Sequence, residues 1–145
     1  MHPMLNTALT VARTTGKMIA HAAEQVDFPD VEAKGVSDFV TKVDKASEVS
    51  IIEGIRKRYP NHGFLGEETG FIEGSDDGKD YVWVIDPLDG STNFINGVHH
   101  FAISIAPKLK CQVEVGVVLD PMREEEFRAV RRGGAQMNVK PLRVN

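Results

Sequence analysis

The sequence predicts an α+β fold, two long helices followed by a mostly antiparallel sheet. Three observations carry this. Ahead of Pro60 two stretches repeat apolar residues at steps of three and four. Beyond Gly63 the pattern changes to alternation, which is the period of a half-buried strand. Short clusters of Gly, Pro, Asn and Asp then punctuate the alternating runs.

In order, residues 3–24 place Leu5, Ala8, Leu9, Ala12, Ile19 and Ala23 on one helical face, with Pro3 in the first turn. Residues 26–37 contain Pro29, Gly35 and scattered acids and read as a loop. The second helix is expected over 44–58, with Ala46, Val49, Ile52 and Ile55 in line, Asp44 as its cap and Pro60 ending it. Strands are expected over 63–67 and 81–86, with the acidic segment 73–78 as a solvated loop between them. Residues 101–106 and 113–119 form a hairpin about a turn at 108–112, and a last strand covers 126–130 before a Gly133-Gly134 turn. Pro107 interrupts an otherwise regular strand and requires an edge or a bulge.

A chain of 145 residues suits one domain, and 41% hydrophobic with 26% charged residues is ordinary for a globular protein. The formal net charge of −4 gives no electrostatic case for direct nucleic-acid binding. Cys111 is the single cysteine, so no intramolecular disulfide forms; its place in a turn argues against a nucleophile. No apolar run reaches the ~20 residues that span a bilayer, and Met1-His2-Pro3-Met4 is unlike a signal peptide. A cytoplasmic location without membrane contact is therefore expected.

The chemistry concentrates in Trp83-Val84-Ile85-Asp86-Pro87-Leu88-Asp89-Gly90-Ser91-Thr92-Asn93. An apolar strand ends in an acid, Pro87 stiffens the turn, and a second acid follows three residues after the first. Two carboxylates this close repel unless a cation lies between them. Hard cations such as Mg²⁺ take oxygen ligands, and a carbonyl of the turn can add one. Gly90-Ser91-Thr92 then offers backbone N–H groups at an expected helix start, where a phosphate would sit. The plainer reading makes Asp86 and Asp89 turn formers. Likewise Glu67-Glu68 alone reads as a solvated face. If the two strands are neighbours, however, Glu67 arrives beside Asp86. His99 and His100, adjacent in sequence, cannot easily share one ion and are read as structural.

Three segments resemble the N-terminal motifs of the inositol monophosphatase family: Asp38-Phe39-Val40-Thr41-Lys42-Val43-Asp44, Gly66-Glu67-Glu68, and the run from Trp83 to Phe94. The opening residues and Asp120-Pro121-Met122-Arg123 bring it closest to the bacterial SuhB-type branch. The resemblance implies a layered α/β sandwich of the sugar-phosphatase type and hydrolysis of myo-inositol monophosphates, or related polyol or sugar phosphates, by a metal-activated water. It implies two or three Mg²⁺ ions, with Mn²⁺ as a substitute. Glu67, Asp86 and Asp89 match the family's metal carboxylates, and Leu88 the residue whose carbonyl is also a ligand. Glu67, Leu88 and Asp89 also border the substrate, whose phosphate rests on Gly90, Ser91 and Thr92. Asp44 and Ser91 match the catalytic pair that positions and activates the attacking water. Lys34 and Glu68 fall where the family has further polar residues.

By the same resemblance, residues 1–145 correspond to the N-terminal portion of such a domain. Members continue with a C-terminal portion whose Trp-Asp motif completes a metal site and contacts the sugar; no such motif stands in this sequence. One sheet face is accordingly expected to be uncovered, and activity of this chain alone to be impaired. In the last turn, Val139-Lys140 follow Asn138 where the family usually has glycine. The implied partners are a small phosphorylated polyol, a second copy of the full-length protein and, in the SuhB-type branch, proteins of ribosomal RNA transcription antitermination. That protein-binding role is the alternative to catalysis, and an inactive fragment is the third reading.

Overall fold

The computed structural model describes residues 2–24, 33–89, 102–121 and 123–137. Helix α1 is Pro3–Glu24 and helix α2 is Ala33–Arg56. Eight strands follow: β1 Gly63–Gly66, β2 Gly70–Ile72, β3 Tyr81–Asp89, β4 Ala102–Leu109, β5 Gln112–Val113, β6 Val115–Asp120, β7 Glu125–Val130 and β8 Gly134–Met137. They form one mixed sheet in the order β2-β1-β3-β4-β6-β7-β8, with β5 pairing β4. Only β1 and β3 run parallel among these pairs; the rest are antiparallel.

Helix α1 has the expected bounds, and its face of Leu5, Ala8, Leu9, Ala12, Ile19 and Ala23 is buried. Helix α2 corrects two expectations. It begins at Ala33 rather than at Asp44, so residues 33–37 are helical despite Gly35, and Asp44 lies mid-helix instead of capping an end. Helix propensity is a weak prior that tertiary context overrides, and one internal glycine costs only about 1 kcal/mol. Val49 is exposed, while Ser47 and Glu48 are buried with Ile51, Ile52 and Ile55, so the inward face is rotated from the one expected.

Both helices pack on one sheet face. Trp83, Ile85, Ile103, Ile105, Val115, Val117 and Leu119 alternate inward to meet them and form the core. Arg13 of α1 adds a two-pronged bond to the buried Glu126 of β7, Nε to Oε1 at 2.6 Å and Nη2 to Oε2 at 2.8 Å. Both oxygens of the buried Glu126 are thereby satisfied by the half-exposed Arg13 in the two-pronged geometry that makes Arg–carboxylate bonds strong.

The expected hairpin is present as β4 and β6, and its turn holds Lys110 and the exposed Cys111 at positive φ (49° and 67°). Pro107 lies opposite the break between β5 and β6, where its carbonyl accepts the Glu114 N–H at 2.9 Å. On that side no ladder partner asks for the N–H that proline lacks, which satisfies the bulge condition. The acidic segment 73–78 is mostly exposed but contains a short 3₁₀ turn, Asp76–Gly78. Strand β8, which the Gly133-Gly134 reading left out, pairs β7 from Gly134 onward. Asn138, Val139 and Lys140 lie outside the described residues.

Candidate functional site

The parallel pairing of β1 and β3 sets the site. Gly63 pairs Val82 and Gly66 pairs Ile85, so the next residues along the two strands are Glu67 and Asp86. The neighbour relation that the sequence left conditional is therefore met, and two acids from separate motifs emerge at one end of the sheet. Beyond Asp86 the β3–β4 register shifts: Asp86 pairs Ser104, but Asp89 rather than Leu88 pairs Ala102. This one-residue bulge, at the stiff Pro87, gives Asp89 the register position that Leu88 would hold in a regular ladder. The side chains of Leu88, Asp89 and Lys34 lie outside the described residues, as do Gly90, Ser91, Thr92, His99 and His100 altogether.

Helix α2 supplies the third element. Asp44 is half-buried, and its carboxyl is pushed up to about 6, first by burial and then by the negative charges of Glu67, Glu48, Glu68 and Asp86. Four acids from α2, the turn after β1 and the end of β3 thus act on one carboxyl. Such a set favours protonation of Asp44 unless a cation offsets the charge. Its donors are all hard oxygens, which fits Mg²⁺ or Mn²⁺ and does not fit a soft-metal site. Among the described residues no three His, Cys, Asp or Glu side chains stand close enough to enclose an ion. Asp89 is not in that set.

Glu48 is the residue that sequence reasoning missed. It is 1% exposed, and its two carboxylate oxygens accept from Glu68 N–H at 3.1 Å, Thr69 N–H at 2.8 Å and Thr69 Oγ1–H at 2.6 Å. Gly66 makes this possible, since a Cβ there would lie 2.7 Å from Glu48 Oε1. Gly70 closes the same turn at φ +72°, a left-handed conformation that suits glycine. The one available signal was Glu48's position one helical turn after Asp44, on the same face.

A two-helix layer on this mixed sheet is the α+β sandwich seen in SuhB and inositol monophosphatase structures. The chain belongs to the inositol monophosphatase family, whose model matches residues 1–145. The Nus factor SuhB of Pseudomonas aeruginosa is 55% identical over 145 residues, covering 100% of this chain and 54% of that protein. The Nus factor SuhB of Escherichia coli K12 is 54% identical over 143 residues, or 99% of this chain and 53% of that one. The crystal structure of the extragenic suppressor protein SuhB from Bartonella henselae superposes with TM-score 0.81 at 31% identity, over 98% of this chain and 54% of that chain. Inositol monophosphatase II of Staphylococcus aureus MSSA476 gives TM-score 0.80 at 34% identity, over 99% and 52%. The chain spans about half the length of the curated relatives it matches.

Proposed function

We propose that this chain carries the metal- and phosphate-binding part of a Mg²⁺-dependent phosphomonoesterase acting on myo-inositol monophosphates or related small polyol and sugar phosphates. The observation that supports it best is the convergence of Glu67 and Asp86 from paired strands on Asp44, whose carboxyl they help to push up to about 6. Glu67, Asp86, Asp89 and the Leu88 carbonyl would hold the cations. When bound, Mg²⁺ supplies Lewis-acid polarisation of the phosphate and charge neutralisation for the departing alcohol. The backbone of Gly90 and Ser91, with Thr92 alongside, would hold the phosphate oxygens. Asp44 and Ser91 would orient the attacking water and accept its proton, as general-base work requires of groups within hydrogen-bond reach.

Asp89→Asn, compared with Asp86→Asn, tests this reading. Each keeps the shape of the side chain and removes one negative charge from the cluster. Mg²⁺ or Mn²⁺ binding by calorimetry should weaken at least about tenfold in both, since metal sites lose that much even from outer-shell changes. Slow phosphate release from inositol 1-phosphate should fall with it. Asn serves a turn as well as Asp, so wild-type heats from both variants would overturn the reading in favour of turn formers.

A second reading draws on the relatives' name, Nus factor SuhB: this chain acts through protein contacts in transcription. Binding to transcription proteins that survives Asp86→Asn, in a chain that releases no phosphate, would favour it.

A further inference from the structure

We infer that Glu48 is a positioning residue, its buried carboxylate clasping the turn after β1 and so fixing where Glu67 stands relative to Asp44 and Asp86. The inference rests on the metal reading of Glu67 given above. Its own basis is the hydrogen-bond geometry. A carboxylate that is 1% exposed is stable only where bonds replace its water, and here three donors do so. All three belong to Glu68 and Thr69, the two residues that directly follow Glu67. The turn spans three residues between the paired Gly66 and Gly70, so holding two of them leaves little freedom to the third.

The arrangement divides labour along α2. Asp44 and Glu48 stand one turn apart on one face. Glu48 is 1% exposed and three donors of the turn occupy its two oxygens, so its role here is to hold the turn. Asp44, half-buried, faces the charge of Glu67 and Asp86. Gly66 belongs to the same device, because any larger residue would collide with the Glu48 carboxylate at 2.7 Å. Outer groups that orient ligands in this way commonly tune metal affinity by about 10- to 100-fold.

Glu48→Gln in the 145-residue chain puts an amide NH₂ where an acceptor is needed and leaves volume nearly unchanged. Thr69→Val removes only the hydroxyl bond. Two readouts are needed, amide hydrogen exchange at Glu68 and Thr69 without metal, and Mn²⁺ affinity by calorimetry at a temperature where circular dichroism shows each protein folded. Glu48→Gln should raise exchange at both amides at least about tenfold and weaken Mn²⁺ about 10-fold or more; Thr69→Val should do both to a smaller degree. Unchanged amide exchange in Glu48→Gln overturns the clasp. Faster exchange with wild-type Mn²⁺ affinity overturns its role in positioning Glu67. A wild-type chain that gives no Mn²⁺ heat overturns the metal reading instead, and with it the positioning role, while the exchange result still decides the clasp. If Glu48→Gln does not fold, the same two readouts on Thr69→Val decide, with wild-type values in both counting against the proposal.

Discussion

Asp44 sits in the middle of α2 with burial and four acids raising its carboxyl to about 6, against the ordinary 3.8. Between those two values the folded chain holds the proton more tightly than the unfolded chain does. Stability contributed by this group is therefore fully present below about 4, falls as pH rises to about 6, and stays low above that. Asp44→Asn abolishes the dependence. In EDTA the variant should melt with wild type at pH 4 and above it at pH 7.5, by about 2–4 °C for a gain that solvent screening of the half-exposed Asp44 cuts to near 1 kcal/mol. Excess Mg²⁺ at pH 7.5 should close or reverse the gap, because only the wild type retains the full set of charges. Equal melting of the two proteins at pH 7.5 in EDTA would refute the crowding of charge on Asp44. The same contrast explains what could be read in advance. Asp86-Pro87-Leu88-Asp89 announces itself because acids, proline and glycine crowd one turn. Glu48 does not, since Ala46-Ser47-Glu48-Val49 is unremarkable helix and the burial of Glu48 arises only when the β1–β2 turn folds onto it.

At the level of elements, the start of the β1–β3 pair is held by an aromatic stack. His62 lies between Tyr59 and Tyr81, with ring centroids 4.6 Å and 4.3 Å away, and its Nδ1 accepts Trp83 Nε1–H at 2.8 Å. Trp83 is the chain's single tryptophan. Burial lowers the His62 pKa below 6.5, with the nearby Asp77 charge opposing. The unfolded chain thus takes up this proton first. Stability is fully present above 6.5 and is lost as pH falls through the lowered value. Protonation of Nδ1 also removes the acceptor for the indole. Trp83 fluorescence should therefore change on acidification with a midpoint below 6.5, and His62→Phe should lose that step; a step that persists in His62→Phe would assign it elsewhere. Alternation foretold β1, β3, β4, β6 and β7, because period two is written in the residues themselves. The pairing order was not foretold, since nothing local says that β1 runs parallel to β3. The start of α2 was missed because Gly35 and Pro29 read as loop formers, and β8 because four residues carry too short a pattern.

Over the whole molecule, two helices lie on one face of the sheet and leave the other without a helix among the described residues. On that open face Val118 of β6 is directly opposite Phe127 of β7, and they are 38% and 43% exposed. Leu65 of β1 is exposed likewise. No helix in the described residues is long and apolar enough to cross a membrane. The exposed Val118–Phe127 strip favours association, as two such strips gain by leaving water together. The 145-residue chain should accordingly self-associate at micromolar concentration. Val118→Thr with Phe127→Thr keeps β-forming residues at both sites while shrinking the strip. Losing roughly 80 Å² of apolar contact should weaken association by about 2 kcal/mol, roughly 30-fold. Threonine keeps the strand, and neither side chain belongs to the core, so the melting temperature at low concentration should move little. Sedimentation velocity across a concentration series reads the first effect and a dilute thermal melt the second. A double variant that sediments as wild type would mean that the open face drives no association, whereas a large drop in melting temperature would mean that Val118 and Phe127 support the sheet from within.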